Sequence, residues 1–213
     1  MKYKLIFFDL DGTLVDTLID IMNSTNFMLN KFGLSKKTKE ETRELIGGGA
    51  LNLVKLCLKN TPYSIEEGLK LFVDYYEKHF CDYSQPYNYV KKTLEKLHNN
   101  QCIKKIVYTN KPLEISKKII DKLELKKYFK EIIAPETFGV RKPDPLSVIE
   151  TLKKFKFAPE DALIIGDSKA DIEVSKNASI SSIAVTYGYG NYEDIKNADY
   201  IIDSFEKIIE ILN

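Results

Sequence analysis

Residues 5–13 read Leu5-Ile6-Phe7-Phe8-Asp9-Leu10-Asp11-Gly12-Thr13, four apolar residues running into Asp-x-Asp-Gly-Thr. A short unbroken apolar run ended by a turn reads as a buried strand. Two carboxylates therefore emerge together at its carboxyl end. With Leu10 between them, their side chains point to opposite sides in extended geometry. Gly12 lets the backbone bend sharply, which can bring the Asp11 carboxylate round toward Asp9. In an open α/β sheet, ligands bind in the crevice beyond the carboxyl ends of the strands. One aspartate there could attack an electrophile while the other moves a proton. For a lone Asp-x-Asp, an Asx-turn or a helix cap is the competing role.

Working outward, further apolar, β-branched runs lie at 105–108, 131–134, 162–165, 182–186 and 200–202. Amphipathic segments at 90–98, 112–123 and 146–155 separate several of them. Alternating strands and helices predict a doubly wound, mostly parallel Rossmann-like α/β sheet. The rhythm breaks between the first two runs, where residues 17–84 show helical periodicity and no strand. Helices are expected from Thr17, with Asp20 in its first turn, and over 39–46, 51–58 and 65–80. The expected division is an α/β core of 1–15 and 85–213 with an inserted all-helical domain of 16–84.

The composition narrows the class. The chain has 213 residues, of which 44% are hydrophobic and 30% charged, with a formal net charge of +1. A charge this near balance supplies no field that recruits nucleic acid or an anionic membrane, so neither is an expected partner. Cys57, Cys81 and Cys102 form neither a disulfide framework nor a Cys-x-x-Cys pattern. Reduced thiols and a cytoplasmic location are expected. No apolar stretch reaches membrane-spanning length, and the first residues read as a strand rather than a leader. The number of subunits stays open.

Three more sites follow strands on the edge where Asp9 and Asp11 emerge. Thr109-Asn110 ends the second run, where a hydroxyl and an amide beside a helix start suit a phosphate. Ordinary N-capping is the alternative there. In Arg141-Lys142-Pro143-Asp144-Pro145, Pro143 biases Lys142 toward an extended, ordered conformation. In Gly166-Asp167-Ser168-Lys169-Ala170-Asp171, Asp167 sits at a strand end and Asp171 one helical turn beyond. Asp171 alone could equally serve the helix dipole.

Crowded carboxylates and an incoming phosphate repel one another. At an effective dielectric of ~20, each like-charged pair about 4 Å apart costs on the order of 4 kcal/mol. One lysine does not neutralise that, whereas a hard divalent cation does. Oxygen ligands without a His or Cys pattern favour Mg2+ over zinc.

In these motifs the chain resembles the haloacid dehalogenase-like hydrolase superfamily, in its subgroup with a helical cap after the first strand. The matching residues are 9–13, Thr109-Asn110, Lys142, and Gly166-Asp167 through Asp171. The resemblance implies a magnesium-dependent phosphatase that hydrolyses a small phosphate monoester through an aspartyl-phosphate. It implies Asp9 as nucleophile and Asp11 as general acid/base. Thr109 and Lys142 would grip the phosphate, with Asn110 beside them supporting the loop. Magnesium would be held by the Asp9 carboxylate, the Asp11 backbone carbonyl and Asp167, with Asp171 a ligand through water or a residue behind the ligands.

Asp11 separates this pattern from haloacid dehalogenases proper, which lack it. The segment Ile46-Gly47-Gly48-Gly49 resembles the cap loop of phosphoglycolate phosphatases and related pyrophosphatases. Its glycines could form an anion nest for a substrate carboxylate, or simply a turn between two helices. The expected substrate is 2-phosphoglycolate. Pyrophosphate, sugar phosphates and β-phosphoglucomutase-like chemistry are the alternatives, and a catalytically silent binding module on this fold is the contrast from another class. His79 and His98 fall in expected helices, which disfavours a Ser/His/Asp hydrolase, and no P-loop motif is present.

Overall fold

Every apolar run of the sequence becomes a strand. The computed structural model describes residues 2–99 and 102–212. Positions 1, 100, 101 and 213, which include both outer limits of the expected core, lie outside the described residues. Strand β1 (Leu5–Phe8) is followed by the two-residue β2 (Val15–Asp16). Helices α1 (Leu18–Lys31), α2 (Lys39–Arg43), α3 (Gly49–Cys57) and α4 (Ile65–His79) come next. Then β3 (Gln85–Pro86), α5 (Val90–His98), β4 (Lys104–Tyr108) and α6 (Leu113–Lys122) follow. The chain continues through β5 (Glu131–Ile133), α7 (Pro135–Phe138), α8 (Leu146–Phe155), β6 (Ala162–Gly166) and α9 (Lys169–Asn177). It closes with β7 (Ser181–Val185), α10 (Tyr192–Ile195), β8 (Tyr200–Ile202) and α11 (Ile208–Leu212).

Six strands form one sheet in the order β5-β4-β1-β6-β7-β8. All five neighbouring pairs are parallel. The unbroken apolar reading of β1 has a direct cause: all four of its residues are fully buried, so both faces of the sheet are covered. On one face Leu5 and Phe7 join Ile106, Ile164, Val148 and Leu152 in a common core. On the other, Phe8 packs edge-on to Phe129 at 5.7 Å and lies 6.0 Å from Phe205. Burying each such side chain is worth roughly 1.5–3 kcal/mol.

The chain divides into two compact units, residues 1–15 with 86–213 and residues 16–85. Within the second, α4 packs on α1 and α3. Phe27 stacks on Tyr75 at 4.5 Å and Phe32 on Tyr63 at 4.4 Å. Helix α2 is shorter than the expected 39–46. A reciprocal cap between Thr38 and Glu41 starts it on time, but Gly47 and Gly48 follow too soon for it to continue. Helix α3 begins two residues before the expected 51.

Asp20 departs further from expectation. It does not cap α1, at whose start Leu18 N–H donates to Asp16 Oδ1 at 3.2 Å instead. The buried Asp20 carboxylate accepts from Ser84 N–H at 2.9 Å, Ser84 Oγ at 2.6 Å and Tyr83 N–H at 3.1 Å. It thereby pins the last residues of the insert to its first helix. Asp20→Ala leaves these donors without their acceptor, so we expect a loss of about 1–3 kcal/mol. Chemical denaturation should record that loss, with hydrogen-exchange protection falling at 83–84 before it falls in the sheet. Unchanged protection there would exclude this role for Asp20.

Candidate active site

The strand order places the site. The chain starts in the middle of the sheet at β1, builds outward through β4 and β5, then crosses to β6 on the other side of β1. Open α/β sheets bind ligands where the order reverses in this way, beyond the carboxyl ends of the strands. Phe8 is level with Val107 on one neighbour and Ile165 on the other. Asp9, Thr109 and Asp167 therefore leave three adjacent strands on the same edge.

Lys142 joins them. Its Nζ lies 2.7 Å from Asp9 Oδ1 and 2.6 Å from Asp171 Oδ1, and donates to the Tyr108 carbonyl at 3.1 Å. An ammonium has three N–H donors, and all three are in use. Burial acts to lower the Lys142 pKa, but Asp171 and Asp9 outweigh it and hold the ammonium charged. The same burial pushes the Asp9 carboxyl well above its usual range. Lys142 opposes that shift, while Asp171 and Asp167 add to it.

The three carboxylates differ in what else holds them. Asp167 accepts from Thr13 Oγ1 at 2.8 Å and from Tyr189 N–H at 2.7 Å, one donor on each oxygen. Asp171, fully buried, spends Oδ1 on Lys142 and Oδ2 on Ser168 N–H and Oγ, at 3.1 and 2.6 Å. Asp9 meets only Lys142 among the described residues, and through one oxygen. Gly12 allows the close approach of the first loop. Its φ is +85°, and a Cβ there would overlap the Asp167 carboxylate.

Asp11 does not join the cluster. Its two oxygens face the largely buried Lys111 Nζ at 3.0 and 2.9 Å. Sequence reasoning assigned Lys111 no role, although Lys111-Pro112 repeats the Lys142-Pro143 pattern that marked an ordered cation. It likewise gave no role to Thr13 and Tyr189, the donors that hold Asp167. Thr109 is buried, and its Oγ1 accepts from Lys111 N–H at 3.1 Å. Neither Thr109 nor Asn110 caps α6, whose cap position is Pro112. The Asn110 amide clamps the Lys142 backbone from both ends, Oδ1 accepting at 2.8 Å and Nδ2 donating at 3.1 Å. In the insert, Gly47 and Gly49 adopt φ of +122° and +79°, and Gly49 opens α3.

The donor set suits a hard divalent cation. Asp9, Asp167 and Asp171 are buried, and one oxygen of each lies within 4.8 Å of the others. Three carboxylates against the single Lys142 ammonium leave two negative charges, and Asp11 with Lys111 is already neutral. A divalent ion restores the balance. All-oxygen coordination is the chemistry of Mg2+, Mn2+ or Ca2+ rather than zinc.

The haloacid dehalogenase-like hydrolase family model matches residues 6–185, which include Asp9, Asp11, Thr109, Lys142, Asp167 and Asp171. The chain belongs to that family. A phosphoglycolate phosphatase of Aquifex aeolicus is 38% identical over 87% of this chain and 86% of its own length. One of Vibrio parahaemolyticus is 32% identical over 98% and 96%. The crystal structure of a predicted phosphoglycolate phosphatase from Haemophilus somnus superposes with a TM-score of 0.92, covering 100% and 99% of the two chains at 29% identity. This haloacid dehalogenase-like hydrolase is an enzyme of the phosphoric monoester class, and the family generally uses a divalent metal. Among its described residues no helix is long and apolar enough to cross a membrane.

Burial first, and then Asp171, raises the Asp167 carboxyl from 3.8 to about 6. A raised acid binds its proton more tightly folded than unfolded, so its contribution to stability falls as pH rises from 3.8 through about 6. A cation needs the same group ionised. The rise in Tm produced by magnesium or manganese chloride over EDTA should therefore be small at about pH 5 and grow through about pH 7. A cation-induced shift equal at both pH values would exclude Asp167 as a ligand.

Proposed function

We propose that this hydrolase removes phosphate from 2-phosphoglycolate, with Mg2+ in the acidic site and an aspartyl-phosphate formed on Asp9. The observation that carries the reading is the inequality among the buried carboxylates. Both oxygens of Asp167 and of Asp171 are engaged by protein donors, whereas Asp9 keeps one oxygen without a hydrogen-bond partner among the described residues. A nucleophile needs such an oxygen, and a fixed orientation for it. Lys142 fixes the other.

Asp9 attacks phosphorus, and the ester oxygen leaves with a proton from Asp11. Asp11 then takes a proton from the water that attacks the acyl-phosphate, which returns Asp9 and releases inorganic phosphate. General acid–base assistance of this kind is worth about 10²–10⁴-fold. The Thr109 hydroxyl donates to a phosphoryl oxygen, Lys142 sets its positive charge beside the phosphoryl group, and Asn110 holds Lys142 in place. When bound, Mg2+ supplies positive charge to the acidic site, held by Asp9, Asp167 and the Asp11 carbonyl. Asp171 acts behind the ligands by positioning Lys142.

To serve as acid and base, Asp11 has to leave Lys111, which faces both of its oxygens, for the leaving oxygen. Lys111 is a second cation beside the phosphate grip, suited to the carboxylate of 2-phosphoglycolate. Residues 16–84 form the helical cap in this reading, and the Gly47–Gly49 loop is its candidate segment for substrate choice. The setting is the cytoplasm, with a small phosphorylated metabolite as partner.

Magnesium-dependent phosphate release across 2-phosphoglycolate, pyrophosphate and sugar phosphates tests the assignment. 2-Phosphoglycolate should show the highest kcat/KM, and a sugar phosphate or pyrophosphate in that place would overturn the substrate. Asp9→Asn should abolish turnover in a folded protein. Lys111→Met should raise KM several-fold more for 2-phosphoglycolate than for p-nitrophenyl phosphate, which has no carboxylate. Equal effects on both substrates would remove Lys111 from substrate recognition.

A further inference from the structure

At the opposite, amino-terminal end of β4 lies a cleft of about 370 Å³ lined by Lys104, Lys105, Lys127, Lys130, His98 and Tyr128, among others. None of these residues belongs to the acidic site. Glu95 takes up part of the charge, accepting from Lys127 Nζ at 3.2 Å and from the Tyr128 hydroxyl at 2.5 Å. Among the described residues, Lys104, Lys105 and Lys130 meet no carboxylate.

Lys105 is the unusual member. It is only 5% exposed, although lysine is almost never fully buried without a partner of opposite charge. Its Nζ donates to the Leu97 carbonyl at 3.1 Å and the Ile103 carbonyl at 3.4 Å. The first of these bonds meets a carbonyl at the carboxyl end of α5, but two carbonyls supply only part of one negative charge. Burial lowers the Lys105 pKa, and Lys104 lowers it further, so both effects oppose the charged form. A bound anion removes that penalty.

We propose that this cleft is a binding site for a small tetrahedral oxyanion, phosphate or sulfate, with Lys105 at its base and Lys104 and Lys130 at its rim. The site does not rest on the phosphatase reading. It binds without chemistry, and its occupant differs from the substrate in lying at the other end of the strand.

The chain carries two histidines, His79 in the insert and His98 at this cleft, so a histidine-ring NMR spectrum reports on the site directly. Inorganic phosphate and, separately, sulfate would be titrated into the full-length protein at ionic strength fixed with sodium chloride. We expect a saturable shift of the His98 ring signals while His79 stays still. Lys105→Met should raise the half-saturating concentration at least tenfold. Lys130→Gln, an exposed change that the fold tolerates, should raise it several-fold and serves if the Met variant does not fold. No saturable His98 shift, or the same midpoint in both variants, would overturn the site. Phosphate also meets the acidic site, so a His98 shift that survives in both variants is assigned to binding there and counts against the proposal.

Discussion

Everything at the carboxyl edge of the sheet depends on one ammonium group. Lys142 Nζ is bound by the end of β1 through Asp9, by β4 through the Tyr108 carbonyl, and by the first turn of α9 through Asp171. Three segments far apart in sequence thus converge on a nitrogen with no donor left over. A charge this deeply buried costs several kcal/mol if any partner is removed. The arrangement is therefore close to all-or-none. Asn110 enforces it from behind, because its two-ended clamp fixes the Lys142 backbone and leaves the side chain one place to reach.

The same convergence leaves the site electrically incomplete. Three buried carboxylates share one lysine, and burial pushes Asp9 and Asp167 toward their protonated forms. A core chosen for stability alone would not gather them, since apolar residues of similar volume avoid the desolvation cost. Local violations of packing rules concentrate where function requires them. Here the violation has a definite sign and size, a formal excess of two carboxylates over the one ammonium among buried side chains, and that suits a divalent cation.

Much of this was legible in the sequence, for identifiable reasons. Strands buried on both faces are largely apolar, so the runs at 5–8, 105–108 and 162–165 read as strands. Residues at strand ends inherit their position from the topology, so Asp9, Thr109 and Asp167 could be grouped before any distance was known. Pairings that depend on distant chain segments were not legible. Asp20 looked like a helix-cap residue because capping is a local pattern, yet its partners lie 63 and 64 positions away. Tyr189 serves Asp167 through a backbone N–H, which leaves no mark on residue type. Lys111 is different, because its Lys-Pro signal was present, and only the structure shows that it faces Asp11.

Strand β4 carries opposite charge problems at its two ends. Lys105, its second residue, is a buried cation without a carboxylate among the described residues, and Thr109 follows its last residue beside an excess of carboxylates. Four residue steps of extended chain separate them by about 13 Å. At that distance, with an effective dielectric of ~20, two unit charges interact by on the order of 1 kcal/mol, less than a tenfold change in affinity. Neither end can therefore neutralise the other, and Ile106, Val107 and Tyr108 between them are buried and uncharged. Each end has to be balanced by its own ligand, a cation at the carboxyl edge and an anion at the amino edge. The weak coupling also means that filling the amino-end cleft leaves the geometry around Lys142, and with it the chemistry, largely unchanged.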